Sequence, residues 1–168
     1  MQYYNIPIMP PCEMPNQYMI PAQDIYSFPQ NFPIALQLIR DAVSGERSDE
    51  LFYDYLISVA PSEEDKNIIG SIRDDERQHN RLFRQIYLEL TGQMIPPPSQ
   101  EEEFTRPQSY CAGIQTALFG ELGAVERYRI ILFALQDRTQ INILTRIITD
   151  EQKHATKYNF LYSKNKCH

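Results

Sequence analysis

From Phe32 onward, apolar residues recur at steps of three and four, the spacing that lines up side chains on one face of an α-helix. Ala35, Ile39, Ala42, Glu46, Asp49, Tyr53, Leu56 and Ala60 share the first such face. Pro61 closes that helix; Ser62, followed by Glu63, Glu64 and Asp65, supplies the cap and acidic first turn of the next. The second face carries Ile69, Ile72, Glu76, His79, Phe83, Ile86 and Leu90, and Gly92 ends it. A third runs through Tyr110, Ile114, Ala117, Glu121, Ala124, Tyr128, Ile131 and Leu135. Beyond Asp137, a fourth holds Leu144, Ile147, Glu151, His154, Tyr158 and Leu161. No stretch alternates with the period of a strand. The pattern predicts an all-α chain of four long helices within residues 34–162, the first unbroken as far as Pro61.

The flanks read differently. Residues 1–33 hold seven of the twelve prolines, four of the five methionines, and Tyr3, Tyr4, Tyr18 and Tyr26. Proline at that density forbids a regular helix, so an extended arm is expected. Its apolar content suits packing on its own bundle, on a neighbouring subunit, or on a larger assembly. Residues 93–108, with Pro96-Pro97-Pro98 and three consecutive glutamates, form a linker, and residues 163–168 a short tail.

The helices also repeat. Residues 34–87 recur without a gap 75 positions later, with about a dozen identities in 54 positions. Gly45-Glu46, Tyr53, Asp75-Glu76 and His79 match Gly120-Glu121, Tyr128, Asp150-Glu151 and His154. Each apolar seam is interrupted at its middle by these acids and histidines. A carboxylate turned into a core is rare unless it is paired or binds a metal, because desolvating the charge costs several kcal/mol. Four inward carboxylates need compensation, and two divalent cations supply it. Glu46 and Glu76 each lie 13 residues from their shared turn, about 20 Å along the axis, and Glu121 and Glu151 do the same. The i, i+3 spacing of each Glu-x-x-His puts both side chains on one helix face. Six groups therefore meet at one level: Glu46, Glu76, His79, Glu121, Glu151 and His154. A linker of sixteen residues reaches roughly 50 Å, enough to run the length of a bundle between the second and third helices.

Composition narrows the reading. A chain of 168 residues suits one domain with a sizeable core. Its net charge of −6, with no basic cluster, leaves nucleic acid without an electrostatic footprint. No apolar run approaches the ~20 residues that cross a bilayer, and no basic region followed by an apolar stretch marks a secretory signal. Cys12, Cys111 and Cys167 read as isolated thiols in a reducing, cytoplasmic setting. No Cys-x-x-Cys pair offers an iron–thiolate site.

A Glu on each of two helices and a Glu-x-x-His on each of two others resembles the ferritin-like di-iron carboxylate bundles, near their rubrerythrin and bacterioferritin branches. The resemblance covers residues 34–162. It implies a four-helix bundle with one long crossover, holding two iron ions, with manganese an alternative. It implies Glu46 and Glu121 as terminal ligands, Glu76 and Glu151 as bridges, and His79 and His154 as one ligand to each metal. Asp75 and Asp150 would orient the imidazoles, each serving the histidine of the other half, and Tyr53 and Tyr128 would stand near the centre for hydrogen bonding or electron transfer. Ala124 replaces an extra carboxylate common in rubrerythrins, and Glu126 points away from the seam, so a symmetric Glu4His2 set is expected. The implied activity is that of a peroxidase or ferroxidase using O2 or hydrogen peroxide. No rubredoxin domain is present, so a separate protein would supply electrons; a homodimer is the expected assembly. Iron storage, or a structural or coat role in which the arm mediates assembly, is the alternative.

Overall fold

The computed structural model describes residues 24–96 and 104–167, with the backbone alone at Asp24, Glu46 and Arg47. Among the described residues there are five α-helices and no strand: α1 Phe32–Ser44, α2 Glu46–Val59, α3 Glu63–Thr91, α4 Tyr110–Ala134 and α5 Arg138–Lys164. The boundaries follow local chemistry. Ser62 accepts a hydrogen bond from the Asp65 amide, and Asp137 accepts from those of Thr139 and Gln140. Gly92 takes the left-handed conformation (φ 69°) that closes α3.

The expected first helix is broken at Gly45 into α1 and α2. Ser44-Gly45 is a weak helical pair: Ser44 Oγ donates to the Asp41 carbonyl, and glycine costs roughly 1 kcal/mol against alanine. Gly120, its counterpart, sits inside the unbroken α4, between Phe119 and Glu121. A close approach of the described helices does not explain Gly120, since a Cβ there would meet nothing within 4 Å among the described residues. Gly113 is the glycine that packing requires. A Cβ there would stand 2.5 Å from Leu56 Cδ2, so the buried Leu56 side chain would have to shift.

Short turns join α2 to α3 and α4 to α5, so each pair folds back as a hairpin. Two apolar clusters fill the interior. One gathers Ile39, Phe83, Tyr128, Ile131, Leu144 and Ile147; the other gathers Leu56, Ile69, Ile72, Ile114, Tyr158 and Leu161. Burying each large side chain contributes about 1.5–3 kcal/mol. On α3, α4 and α5 the acids and histidines fall between the residues of the two clusters, and form a polar layer across the bundle.

The ends are tied down. Tyr26 packs on Phe133 of α4 at 5.0 Å, and buried Asn31 donates to the Ile25 carbonyl. Most of the Pro-rich arm, residues 1–23, lies outside the described residues, as does His168. One expectation about cysteine is corrected. Cys111 and Cys167 are not isolated thiols but form a disulfide, and Cys167 is buried. Spacing could not reveal this pair, because 56 residues and two helices separate its members. The bond also withdraws the argument for a reducing compartment, where such links are rare. Among the described residues no helix is long and apolar enough to cross a membrane.

Asp65 does more than favour a helix start. It is fully buried and accepts from Ser62, Tyr110, Asn165 and Lys164, which fastens the end of α5 to the start of α3. Burial acts to raise its pKa, but these hydrogen bonds hold it down at about 2.

Candidate metal centre

The seams of α3, α4 and α5 deliver their polar residues to one place. Glu76, Glu121, Glu151 and His154 each offer a ligand atom, all within 4.8 Å of one another. His79 adjoins this set: its Nδ1 lies 3.0 Å from Glu151 Oε1 and 3.4 Å from Glu76 Oε1. His154 Nδ1 lies 3.0 Å from Glu76 Oε1 and 3.7 Å from Glu121 Oε2. The two imidazoles stack at 5.8 Å. Glu121, Glu151 and both histidines are buried, and Glu76 is partly exposed. Glu46 opens α2 directly after the break, and its side chain lies outside the described residues.

The outer edges of the imidazoles are engaged across the repeat. His79 Nε2 stands 3.3 Å from Asp150 and His154 Nε2 stands 3.0 Å from Asp75, so each half's aspartate serves the other half's histidine. Lys153 forms ion pairs with both aspartates, at 2.6 Å to Asp150 and 3.3 Å to Asp75. A carboxylate can only accept, so the proton of each neutral ring belongs on Nε2. That leaves both Nδ1 lone pairs aimed at carboxylate oxygens.

This geometry fits a bound cation. His79 Nδ1, His154 Nδ1, Glu76 Oε1 and Glu151 Oε1 are buried without a hydrogen-bond partner among the described residues. A buried unsatisfied group costs about 1–3 kcal/mol, more when charged, and four converging acceptors compound that cost. A divalent cation satisfies all of them at once, and carboxylate with imidazole is a donor set suited to iron, manganese or zinc.

Electrostatics record the same tension. Burial pushes the Glu121 carboxyl up to about 8, with the negative charge of Glu76 adding to it. Burial likewise raises Glu151 to about 9, with Glu121 and Glu76 contributing. Burial opposes a charged His79, yet contact with Glu151 and Glu76 raises it to about 10. Burial acts to raise Glu76 as well, but its two histidine neighbours lower it. Without a cation the cluster must hold protons in its place.

Three tyrosines surround the carboxylates. Tyr53 lines the cavity that reaches Glu76, Glu121 and Glu151. Tyr128 is buried against Phe83, ring centroids 4.8 Å apart. Burial raises both phenols well above their ordinary value. Tyr158 was legible in the sequence only as a seam residue. Its hydroxyl is buried, and burial, then the charge of Glu121, raises it too. A clue was its position one helical turn beyond His154, on the same face. Glu126 is exposed and pairs with Arg129, and Ala124 is buried where an extra carboxylate would stand.

Comparison with known proteins places the chain. The uncharacterized protein YhjR of Bacillus subtilis (strain 168) is 32% identical over 133 residues, 77% of this chain and 86% of its own length. The chain belongs to the YhjR family. No family model matches it. A hypothetical protein from Pyrococcus furiosus has a similar fold, with a TM-score of 0.65 at 19% identity over 77% of this chain and 88% of its own. A conserved hypothetical protein of Mycobacterium tuberculosis, rv2844, has a TM-score of 0.66 at 13% identity, over 79% and 93%. At these identities the likeness concerns the fold alone.

Proposed function

We propose that the polar layer is a dinuclear metal centre of the ferritin-like di-iron carboxylate kind, and that the protein is a peroxidase or ferroxidase. The observation that carries this reading is the convergence, from two Glu-x-x-His pairs, of four buried carboxylate oxygens and imidazole nitrogens that no hydrogen bond among the described residues satisfies. Glu76 and Glu151 would bridge, His79 and His154 would bind one ion each, and Glu121 and Glu46 would be terminal ligands. The repeat in the sequence would give each ion the same types of ligand.

Bound iron would supply the electrons for reduction of O2 or hydrogen peroxide. The chain's own residues do the rest. Asp75 and Asp150 fix the tautomer and angle of the rings they touch, and so hold Nδ1 free for the metal. The apolar clusters above and below exclude water along the bundle axis. Tyr53, Tyr128 and Tyr158 stay protonated in this setting and can donate a hydrogen atom or a hydrogen bond toward the centre. Repeated turnover draws electrons from a separate donor protein.

The test is anaerobic loading with ferrous iron, followed by absorption and Mössbauer spectroscopy on adding O2 or hydrogen peroxide. Rapid formation of a coupled diferric pair with one oxidant is expected. Iron that stays ferrous with both oxidants would overturn the assignment.

A further inference from the structure

A cavity of about 710 Å³ descends between α2 and α4 to the carboxylates. Its floor includes Glu76, Glu121 and Glu151. O2 and hydrogen peroxide need little more than the ~30 Å³ that a water molecule occupies. The volume instead falls within the roughly 300–1,000 Å³ of sites that enclose organic ligands. Its walls set the apolar and aromatic Phe52, Tyr53, Phe104 and Ala117 beside the polar Asp49 and Thr116.

Two further observations define what fits. Gly120 lines the cavity, and a Cβ there would meet nothing within 4 Å among the described residues, so the missing side chain leaves space that none of them fills. Two helical turns further along α4, Arg127 stands on the same wall, its Nη1 folded back to 3.0 Å from the position of a Gly123 Cβ. It has no hydrogen-bond or ion-pair partner among the described residues. Arg106, also lining the cavity, lies over the Tyr55 ring at 5.2 Å. The linker end is held there because Tyr55 donates to the Pro107 carbonyl. Two cations, Arg106 and Arg127, and one acid, Asp49, thus stand on the walls above the carboxylates of the floor.

We propose that this cavity binds a small amphipathic organic anion, its apolar body in the space beside Gly120 and its anionic head on Arg127. Gly120 adjoins the floor residue Glu121 and Arg127 lies about two turns further along α4, which orients the ligand with its apolar end toward the centre. The inference rests on the metal-centre reading for what the ligand meets at the floor.

The test is calorimetric titration of the full chain with sodium octanoate and, separately, with octanamide, its neutral counterpart. Octanoate is expected to bind more tightly than octanamide. Gly120→Leu should weaken octanoate about tenfold or more by filling the space, while leucine's helix propensity favours α4. Arg127→Gln, at an exposed position, should abolish the preference for the charged ligand. No octanoate binding at millimolar concentration, or equal affinity in wild type and both variants, would overturn the proposal. An iron-loaded chain that ignores octanoate defeats the cavity reading alone. A chain that binds octanoate but takes up no iron defeats the metal centre alone.

Discussion

Filling the carboxylate–imidazole cluster with divalent cation at pH 7 should release about three protons per chain. The count comes from the groups that the cation displaces. With Glu121 near 8 and Glu151 near 9, about nine-tenths of the first and nearly all of the second are protonated at pH 7. His79, near 10, carries a second ring proton that must leave before Nδ1 can coordinate. Glu76 is already ionised and contributes none. At pH 9 the same arithmetic gives about half as many protons. Titrating Mn2+ into metal-free protein in buffers of different ionisation enthalpy measures the number directly. Fewer than one proton at pH 7, with no decline by pH 9, would refute the reasoning. The metal-free fold should follow the same linkage. All three folded-state values lie above their unfolded ones, so the native chain holds extra protons. Their contribution is full below about pH 4.5 for the glutamates and 6.5 for His79, and is lost as pH rises through about 8 to 10. Thermal melts of metal-free protein should therefore fall over that window, and bound metal should flatten the decline.

Three other perturbations follow from particular contacts. Asp75→Asn or Asp150→Asn should lower metal affinity about 10- to 100-fold by loosening the opposite histidine, measured by competition with a chelator; unchanged affinity would contradict the cross-paired geometry. Asp65→Ala should cost about 3 kcal/mol at pH 7, a drop of roughly 6–12 °C in Tm, because it strands Lys164, Asn165 and Tyr110. Cys111→Ser should lower stability by up to about 4 kcal/mol, the chain-entropy value for closing a loop of 56 residues, read by denaturant unfolding with and without reductant.

The buried seams were legible because helical periodicity and burial report the same physics. Ile69, Ile72, Phe83 and Ile86 on α3, and every seam residue of α5 from Leu144 to Leu161, are buried as the spacing requires. The polar layer was legible for a related reason: an acid on an apolar stripe has nowhere to go but inward. Spacing within one helix could also place His79 beside Glu76, and the resemblance to di-iron bundles implied that the aspartates cross between halves. The break at Gly45 was not legible from period alone, since the apolar positions on either side keep their phase. It depends on how Ser44 and Gly45 compete with helical hydrogen bonds, whereas Gly120 meets the same test within a helix supported on both sides by packing. The disulfide and the Asp65 hub join residues far apart in the chain, and no local pattern encodes such contacts. The cavity is likewise a property of three segments together, made by side chains that are absent as much as by those present.

The central claim is that buried acceptors from two repeat halves hold two metal ions together. Its most direct test is the metal count per chain, by elemental analysis after anaerobic iron loading, in wild type, Glu76→Ala and His154→Ala. The account predicts two irons in wild type, and loss of the dinuclear pair in both variants. Two irons retained in either variant, or none taken up by wild type, would contradict it.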